Sequence, residues 1–242
     1  MTKELKIPHH VGIIMDGNGR WAKNQGKARI FGHKAGMDAV EKVAIHGQKL
    51  GIKVMTVYAF STENWTRPMD EVKFIMSLPI DFYNRFVPVL NRENIQMRMI
   101  GHREGLPKAT LKAIDKASKD TAANTGMILN FALNYGGRSE IVQSMKEIIR
   151  EGIKEEEITE SLISDYLTTS IFPQDWRDPD LIIRTSGEYR LSNFLTWQSA
   201  YSELYFTEKF WPDFDEGELD RAIEDFSSRN RRFGDVVERE EK

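Results

Sequence analysis

The feature that most constrains this chain is the alternation of short, apolar, β-rich runs with longer amphipathic segments. Five such runs are followed by a sixth, weaker one towards the C-terminal end. Runs that are apolar at successive positions are typical of strands buried on both faces, as in parallel sheets. The predicted strands cover residues 11–15, 54–60, 95–100, 127–133, 181–183 and 203–206.

Helical periodicity fills the gaps between these runs. Apolar residues recur at three- and four-residue spacing over residues 35–50, 109–123, 140–149 and 218–228. Strands that alternate with helices imply right-handed crossovers, and therefore an α/β fold with a mainly parallel central sheet flanked by helices. No Pro-, Gly- or Ser-rich linker divides the 242 residues. We therefore expect one domain over residues 1–242, with a frayed, charged tail at about residues 235–242.

The first predicted strand ends on a carboxylate and leads into a glycine-rich turn. Asp16 follows the apolar run, and Gly17 and Gly19 let backbone N–H groups approach an anion closely. Arg20 adds a fork-shaped donor that suits phosphate oxygens. Because an Asp beside this cradle would repel a bare diphosphate, the pattern indicates a bridging cation, most simply Mg²⁺. Asp16 is therefore the first candidate metal ligand.

Other glycine-rich motifs fit this segment poorly. It matches neither the Gly-x-x-x-x-Gly-Lys-Ser/Thr of a P-loop nor the Gly-x-Gly-x-x-Gly of a dinucleotide site. A calcium loop is excluded because Arg20 stands where an oxygen ligand is required. A purely structural strand-to-helix turn stays open on this pattern alone.

A second candidate anion site follows the fifth predicted strand. Residues 184–194 present Arg184, Arg190 and Ser192 around a glycine turn. One arginine after a strand is usually a surface ion-pair partner, whereas paired arginines with interleaved hydroxyls suit a phosphate or diphosphate. Further on, Glu203 offers another carboxylate that, taken alone, is an ordinary loop charge.

These candidates converge on one edge of the predicted sheet. Asp16, residues 61–64, Asn134 and Arg184 each lie just past the end of a predicted strand. Ligands of parallel sheets bind beyond the carboxyl ends of the strands. The convergence therefore predicts a single site at that edge.

Composition narrows the choice of partners and compartment. The net charge of −3 does not indicate a nucleic-acid partner, and the absence of cysteine excludes disulfides, thiol nucleophiles and thiolate metal sites. The first residues lack the apolar stretch of a signal peptide, so we expect a cytoplasmic protein. No run approaches the roughly 20 apolar residues that span a bilayer. Any contact with lipid is therefore expected to be peripheral or through a bound ligand. For a cytoplasmic protein, peripheral contact would be at the inner face of the membrane.

Several motifs together resemble the cis-prenyltransferase family, and most closely its bacterial undecaprenyl diphosphate synthases. They are IMDGNGRWA at 14–22, YAFSTENW at 58–65, NYGGR at 134–138, RTSGE at 184–188 and WPDF at 211–214. The resemblance extends in order from about residue 9 to 234. It implies successive condensation of isopentenyl diphosphate onto farnesyl diphosphate with cis double bonds. The implied product is undecaprenyl diphosphate, the precursor of a lipid carrier for cell-wall polysaccharide.

The resemblance also implies roles for individual residues. It places the allylic diphosphate against Gly17, Asn18, Gly19, Arg20, Trp21, Arg29 and His33. It places Ser61, Thr62, Glu63, Trp65 and Arg67 near substrate, and Arg184, Arg190, Leu191 and Ser192 around isopentenyl diphosphate. Asp16 and Glu203 are implied to hold Mg²⁺.

Two of these roles need a chemical qualification. A lone histidine near a helix start is more often a packing or capping residue than a catalyst, so we assign His33 to binding. Asn64 is the family position associated with removing the proton that completes the new double bond. Because a neutral amide is a very weak base, we expect Asn64 to orient the alkene or a proton relay through diphosphate or water.

The resemblance further predicts moving and apolar parts around the site. We expect residues 62–74 to form a lid over the reacting substrates. The alternative interpretation of the same residues is an ordinary polar loop followed by a helix. Residues 74–83, which by pattern alone form a core-facing helix, are expected to wall a hydrophobic substrate tunnel. The family also implies a homodimer, in which residues 232–234 reach the neighbouring isopentenyl site, and transient membrane contact during product release.

Two competing hypotheses come from other classes of protein. A haloacid-dehalogenase-like phosphohydrolase needs a second Asp two residues after the first, where this chain has Asn18. A catalytically silent scaffold that pairs with an active synthase is compatible with the fold. The presence of Asp16, Arg20, Asn64 and Glu203 argues against the scaffold.

Overall fold

The described part of the chain, residues 5–229 of a computed structural model, is built around one six-stranded sheet. The strands are β1 (His10–Ile14), β2 (Val54–Ser61), β3 (Gln96–Ile100), β4 (Ile128–Tyr135), β5 (Leu181–Arg184) and β6 (Glu203–Phe206). Their order is β3-β4-β2-β1-β5-β6, and every neighbouring pair is parallel. The predicted α/β class is confirmed, and the sheet is entirely rather than mainly parallel.

Helices connect the strands. Residues 5–229 contain α1 (Asn18–Asn24), α2 (Arg29–Leu50), α3 (Met69–Arg92), α4 (Lys108–Asp120), α5 (Gly137–Arg150), α6 (Glu160–Tyr166) and α7 (Glu216–Ser228). Short 3-10 helices lie at Thr62–Thr66, Glu155–Glu157, Thr168–Ile171, Gln174–Trp176 and Trp211–Asp213. The predicted C-terminal tail and the segment 232–234 lie outside the described residues.

The main core lies where α2, α3, α4 and α7 cover one face of the sheet. Val11 and Ile13 of β1 point into this core, whereas Ile14 joins a smaller cluster on the other face with Ile182 and Phe194. β1 is buried at all of its positions, which explains why its sequence is apolar without alternation. The central strands therefore give the site a rigid base.

The strand order places a topological switch point between β1 and β5. The chain leaves β1 towards β2 on one side, and returns much later to pair β5 on the other side. Ile14 at the end of β1 is level with Arg184 at the end of β5. Crevices at such points are the usual ligand sites of open parallel sheets. Asp16 and Arg184 flank this crevice.

The region after β1 differs from the sequence-based expectation. The glycine-rich turn continues as the short helix α1, and α2 begins at Arg29 instead of residue 35. The reason is close packing between the two helices, since a Cβ on Gly32 would lie 1.8 Å from the carbonyl oxygen of Asn18. Gly32 and Gly36 interrupt the apolar periodicity, so the first turns of α2 carried no clear helical pattern.

The segment predicted as a lid is also divided differently. Thr62–Thr66 forms a 3-10 helix, but α3 already begins at Met69, so residues 69–74 are helix rather than lid loop. α3 continues to Arg92 and contains Pro79 and Pro88, each of which removes a backbone N–H donor. Its apolar face packs on the sheet and, as shown below, also walls a cavity.

Candidate active site

Asp16 is held in place by backbone and side-chain contacts just beyond β1. Its backbone N–H donates to Thr185 Oγ1 at 2.9 Å, and the Thr185 hydroxyl donates to the Asp16 carbonyl oxygen at 2.7 Å. The next residue, Gly17, has φ +100°, and a Cβ there would lie 2.6 Å from the Phe210 ring. Glycine is therefore required at Gly17 for both conformation and space. The Asp16 carboxylate remains partly exposed.

Two arginines from different elements meet on the Asp16 carboxylate. Arg20 Nη2 lies 3.2 Å from Asp16 Oδ1, and Arg184 Nη2 lies 3.1 Å from Asp16 Oδ2. Arg184 is buried, and its Nη1 also donates to Ser192 Oγ at 2.7 Å and to the Arg190 carbonyl oxygen. The two predicted anion-binding clusters are thus joined through Asp16.

Glu188 forms a second link between the clusters. Arg20 Nη1 donates to Glu188 Oε1 at 3.1 Å, and Arg190 Nη1 donates to Glu188 Oε2 at 2.5 Å. The hydrogen bond and charge of Arg190, followed by those of Arg20, lower the pKa of Glu188. Glu188 is therefore anionic between two guanidinium groups. Arg20 and Arg190 lie close enough to share one anion, as adjacent diphosphate sites require.

A third group of cations surrounds Glu71 at the start of α3. Arg29 donates to both carboxylate oxygens at 3.0 and 3.2 Å, and Arg67 Nη1 and His33 Nε2 each lie 3.2 Å from Glu71 Oε1. Burial alone would raise the pKa of Glu71, but the hydrogen bonds of Arg29 and His33 lower it. Three residues predicted to bind substrate are thus gathered by one buried carboxylate.

His33 is neutral in this group. Burial lowers its pKa, despite the opposing hydrogen bond and charge of Glu71. Because an ionised carboxylate only accepts, His33 Nε2 carries the proton and donates to Glu71. The ring thus already donates its Nε2 proton to a protein group, and a binding role for His33 stays a prediction.

The segment after β2 is pinned to the sheet edge. Ser61 N–H donates to Asn64 Oδ1 at 3.1 Å, and Trp65 Nε1 donates to Asn134 Oδ1 at 2.7 Å. Asn193 Nδ2 donates to Glu63 Oε1 at 2.8 Å. Hydrogen bonds led by that from Asn193 lower the pKa of Glu63, although burial acts in the opposite direction. The segment thereby contacts both the β4 end and the chain after β5.

An apolar cavity begins beside this site and runs between the sheet and helices α2 and α3. Its empty volume is about 700 Å³, including space open to solvent. Asn18 and His33 line the end near Asp16, and Met97, Met99 and Ile114 line the distant end. Ile75, Leu78, Pro79 and Phe82 of α3 form one wall, as the prediction for residues 74–83 requires. The cavity provides the predicted hydrophobic tunnel.

Two predicted site residues are engaged by protein groups. Trp21 Nε1 donates to Asp213 Oδ1 at 2.7 Å, and its contact with substrate stays a prediction. Glu203 is the first residue of β6, level with Leu181 and Val11, and accepts from Arg229 Nη1 at 2.8 Å. Ile14, the last residue of β1, lies three positions beyond Val11, so Glu203 lies about 10 Å short of the end of β1 along the strand direction. One chain therefore does not bring these two carboxylates together.

Several functional groups at this site were missed by sequence reasoning. Thr185 fixes the Asp16 backbone, Glu188 spans two arginines and Asn193 anchors Glu63. Glu71 had one local signal, because it follows Arg67 by four residues on a helical segment. Glu188 likewise has Arg190 two residues away. The contacts of Thr185 with Asp16, of Glu188 with Arg20 and of Asn193 with Glu63 join residues that are far apart in sequence, so no spacing rule could have indicated them.

The geometry defines a class of protein before any comparison. Arginine clusters around one carboxylate suit a diphosphate, and the adjoining apolar cavity suits a hydrocarbon tail attached to it. Prenyl diphosphates have both parts. The fold and site therefore define a protein suited to bind an amphipathic diphosphate of this kind.

Comparison with known proteins gives the family. A prenyltransferase family model described as "Putative undecaprenyl diphosphate synthase" matches residues 14–234. The isoprenyl transferase of Lactococcus lactis subsp. lactis is 65% identical over 234 residues, covering 97% of this chain and 96% of that protein. The isoprenyl transferase of Streptococcus mutans is 60% identical over 238 residues, covering 97% and 96%. The chain belongs to the undecaprenyl diphosphate synthase family of cis-prenyltransferases.

Solved structures show the same fold. Lavandulyl diphosphate synthase from Lavandula x intermedia, in complex with dimethylallyl diphosphate, matches with a TM-score of 0.91 and 37% identity over 95% of this chain and 99% of that one. A probable undecaprenyl diphosphate synthase from Campylobacter jejuni matches with a TM-score of 0.77 and 29% identity, covering 97% and 100%.

Proposed function

We propose that this protein condenses isopentenyl diphosphate successively onto farnesyl diphosphate to form undecaprenyl diphosphate, a precursor of the lipid carrier for cell-wall polysaccharide. The observation that carries the proposal is the position of Asp16, between Arg20 and Arg184 at the end of an apolar cavity. The structure of the similar lavandulyl diphosphate synthase contains dimethylallyl diphosphate, an allylic diphosphate, and this supports the same substrate class for the present protein.

Different arginine residues bind the two diphosphates. Arg20, with Arg29 and His33, holds the allylic diphosphate whose tail enters the cavity, and Arg184 and Arg190 hold isopentenyl diphosphate. The allylic C–O bond breaks, and the diphosphate leaves with both bonding electrons. Preorganised guanidinium groups stabilise the charge that develops on it. The isopentenyl alkene then forms the new C–C bond to the allylic carbocation, and loss of one proton completes the double bond.

Asn64 is proposed to position the reacting alkene end. Its Oδ1 already accepts from Ser61 N–H, so its amide NH₂ is the group left to face substrate. An NH₂ group donates hydrogen bonds and cannot remove a proton. The proton is therefore passed to a diphosphate oxygen or to water, with Asn64 donating to that acceptor.

The residues present fit a magnesium ion that is shared with substrate. Residues 5–229 contain no cluster of three His, Cys, Asp or Glu side chains that could hold a metal by themselves. Magnesium commonly uses one or two carboxylates together with substrate phosphates, and Asp16 supplies one carboxylate. When bound, Mg²⁺ would neutralise charge on the diphosphate. A contribution from Glu203 would have to come from a second chain.

A homodimer is proposed as the working form. Val142, Met145 and Ile149 form an exposed apolar stripe on α5, with Ile149 72% exposed. A second copy that covers this stripe would remove apolar surface from water.

An elongation assay tests the proposal. Purified protein is incubated with farnesyl diphosphate, labelled isopentenyl diphosphate and Mg²⁺ in detergent, and products are resolved by chain length. Long polyprenyl products that require Mg²⁺ are expected, with the rate falling about 100-fold or more in Asp16→Ala. Absence of elongation by folded, dimeric protein would refute the proposal and favour the silent scaffold.

A further inference from the structure

Asn193 joins three segments of the candidate site. Its Nδ2 donates to Glu63 Oε1 at 2.8 Å, and its Oδ1 accepts from the backbone N–H of Arg138 at 2.8 Å. Its carbonyl oxygen accepts from the backbone N–H of Gly137, also at 2.8 Å. One residue after β5 thus contacts both the segment that follows β2 and the first turn of α5.

The backbone around Asn193 is strained. Ser192, Asn193 and Leu195 have φ of +48°, +64° and +43°, in a region that residues other than glycine rarely adopt. Such a conformation persists only where surrounding contacts hold it in place. The hydrogen bonds of Asn193 therefore also fix its neighbour Ser192, whose hydroxyl accepts from the buried Arg184 at 2.7 Å.

Glu63 connects Asn193 to Asn64. Glu63 and Asn64 are consecutive residues of the 3-10 helix Thr62–Thr66. Burial raises the pKa of Glu63, but hydrogen bonds led by that from Asn193 lower it overall, so Glu63 is ionised. A hydrogen bond to a carboxylate is stronger than one between neutral groups. A shift of the chain at Asn193 is therefore passed on to Asn64.

Little space separates the three segments. A Cβ on Gly136 would lie 2.6 Å from Thr62 Oγ1 and 2.8 Å from Asn193 Nδ2. Closely packed groups transmit a displacement to their neighbours. Packing and hydrogen bonding thus act together to link the chain after β2 with the chain after β5.

We propose that Asn193 is a positioning residue that couples the binding of isopentenyl diphosphate to the orientation of Asn64. The inference rests on the proposed function, in which Arg184 and Arg190 hold isopentenyl diphosphate and Asn64 faces the reacting alkene. When that diphosphate fixes the chain after β5, Asn193 holds Glu63 and thereby Asn64. Asn193 itself touches no substrate and acts through these residues.

Exchanging donor and acceptor tests the hydrogen bond between Asn193 and Glu63. Asn193→Asp keeps an acceptor for the Arg138 N–H and suits the left-handed backbone, but it places two carboxylates against each other. Asn193→Asp/Glu63→Gln restores a hydrogen bond of reversed direction, because the amide NH₂ of the new side chain donates. Glu63→Gln alone keeps the original bond through its amide oxygen. The control Asn84→Asp makes the same charge change at an exposed position of α3.

Amide hydrogen exchange of residues 61–67 measures the coupling. Isopentenyl diphosphate is added alone with Mg²⁺, because it has no allylic C–O bond to break and binds without reacting; calorimetry sets the saturating concentration. In wild type, Asn84→Asp, Glu63→Gln and the double variant, it should slow exchange by about ten-fold. In Asn193→Asp, exchange without ligand should be about ten-fold faster than in wild type, and isopentenyl diphosphate should change it by less than about two-fold.

Single-turnover kinetics of the first condensation measure the consequence for the reaction. The rate should fall about ten-fold in Asn193→Asp and recover in Asn193→Asp/Glu63→Gln, because Asn64 is displaced in the first variant and returned in the second. The KM for farnesyl diphosphate should stay within about two-fold of wild type. A purely structural role for Asn193 predicts no such recovery on reversing the hydrogen bond.

The outcomes separate this inference from the proposed function. Equal protection of residues 61–67 in wild type and Asn193→Asp, or no recovery in the double variant, overturns the coupling alone if wild type elongates. Protection by isopentenyl diphosphate that depends on Asn193, in a wild type that makes no polyprenyl product, refutes the synthase proposal alone. Absence of isopentenyl diphosphate binding to folded wild type refutes both.

Discussion

His10 gives the fold a pH dependence that can be calculated. It is the first residue of β1, its side chain is completely buried, and its Nε2 lies 2.8 Å from Thr56 Oγ1. Its ring meets Phe172 edge-on, with centroids 5.7 Å apart. Burial lowers the pKa of His10 from 6.5 to about 4, although backbone groups of Trp176 and the charge of Asp180 act in the opposite direction. His10 is therefore neutral in the folded protein above about pH 4.

The sign of the effect follows from proton binding. Below pH 6.5 the unfolded chain protonates His10, whereas the folded protein resists protonation until about pH 4. The unfolded state thus binds more protons in this window, so the free energy of unfolding falls as pH falls. Titration of His10 lowers the free energy of unfolding by about 2 kcal/mol between about pH 7.5 and pH 5. Below pH 4 the total decrease is about 3 kcal/mol.

Urea unfolding at a series of pH values measures this loss. His10→Asn removes the titrating group, and His9→Asn is the matched control, because His9 is exposed. We expect wild type and His9→Asn to lose about 2 kcal/mol more than His10→Asn on going from about pH 7.5 to pH 5. Loss of the Thr56 contact should shift the whole His10→Asn curve by a constant amount. Parallel curves for all three proteins would refute the reasoning.

Three further predictions concern the site. Glu71→Gln should raise the KM for farnesyl diphosphate by about ten-fold and change the KM for isopentenyl diphosphate little. The reason is that neutralising Glu71 releases Arg29 and His33 from the positions in which it holds them. Equal changes in both KM values would contradict this prediction. Gly32→Ala should lower the free energy of unfolding by about 1–3 kcal/mol through overpacking against α1, whereas Gly217→Ala on α7, where a Cβ has room, should be neutral or slightly stabilising. Product release should limit steady-state turnover, since burying a prenyl chain gains about 0.8 kcal/mol per CH₂; equal single-turnover and steady-state rates in rapid-quench experiments would exclude this.

The centre of the sheet was predictable because its central strands are buried on both faces. The runs at 11–15 and 181–183 fall within one or two residues of β1 and β5, since burial on both sides requires apolar residues throughout. Because parallel strands end at the same edge of the sheet, these two strand predictions also place Asp16 beside Arg184. Helix α1 was not predictable, because it is short and is held by tertiary contacts such as that between Gly32 and Asn18.

The parts of the site that escaped prediction are those set by contacts between distant residues. Glu71 and Glu188 each have one arginine nearby in the sequence, Arg67 and Arg190 respectively. Only the fold brings the distant Arg29 to Glu71 and the distant Arg20 to Glu188. Glu203 shows the opposite case. It is the first residue of its predicted strand, so strand direction alone places it at the amino edge of a parallel sheet, away from Asp16. The family resemblance assigned Glu203 to the same metal ion as Asp16, and the strand direction conflicts with that assignment within one chain.

Substrate kinetics of Arg184→Gln test whether two diphosphates bind on either side of Asp16. Initial rates are measured while each substrate is varied in turn, with circular dichroism confirming the fold. We expect the KM for isopentenyl diphosphate to rise about ten-fold or more, while the KM for farnesyl diphosphate stays within about two-fold of wild type. An equal rise in both KM values, or a rise for farnesyl diphosphate alone, would show that Arg184 does not hold isopentenyl diphosphate at a separate site.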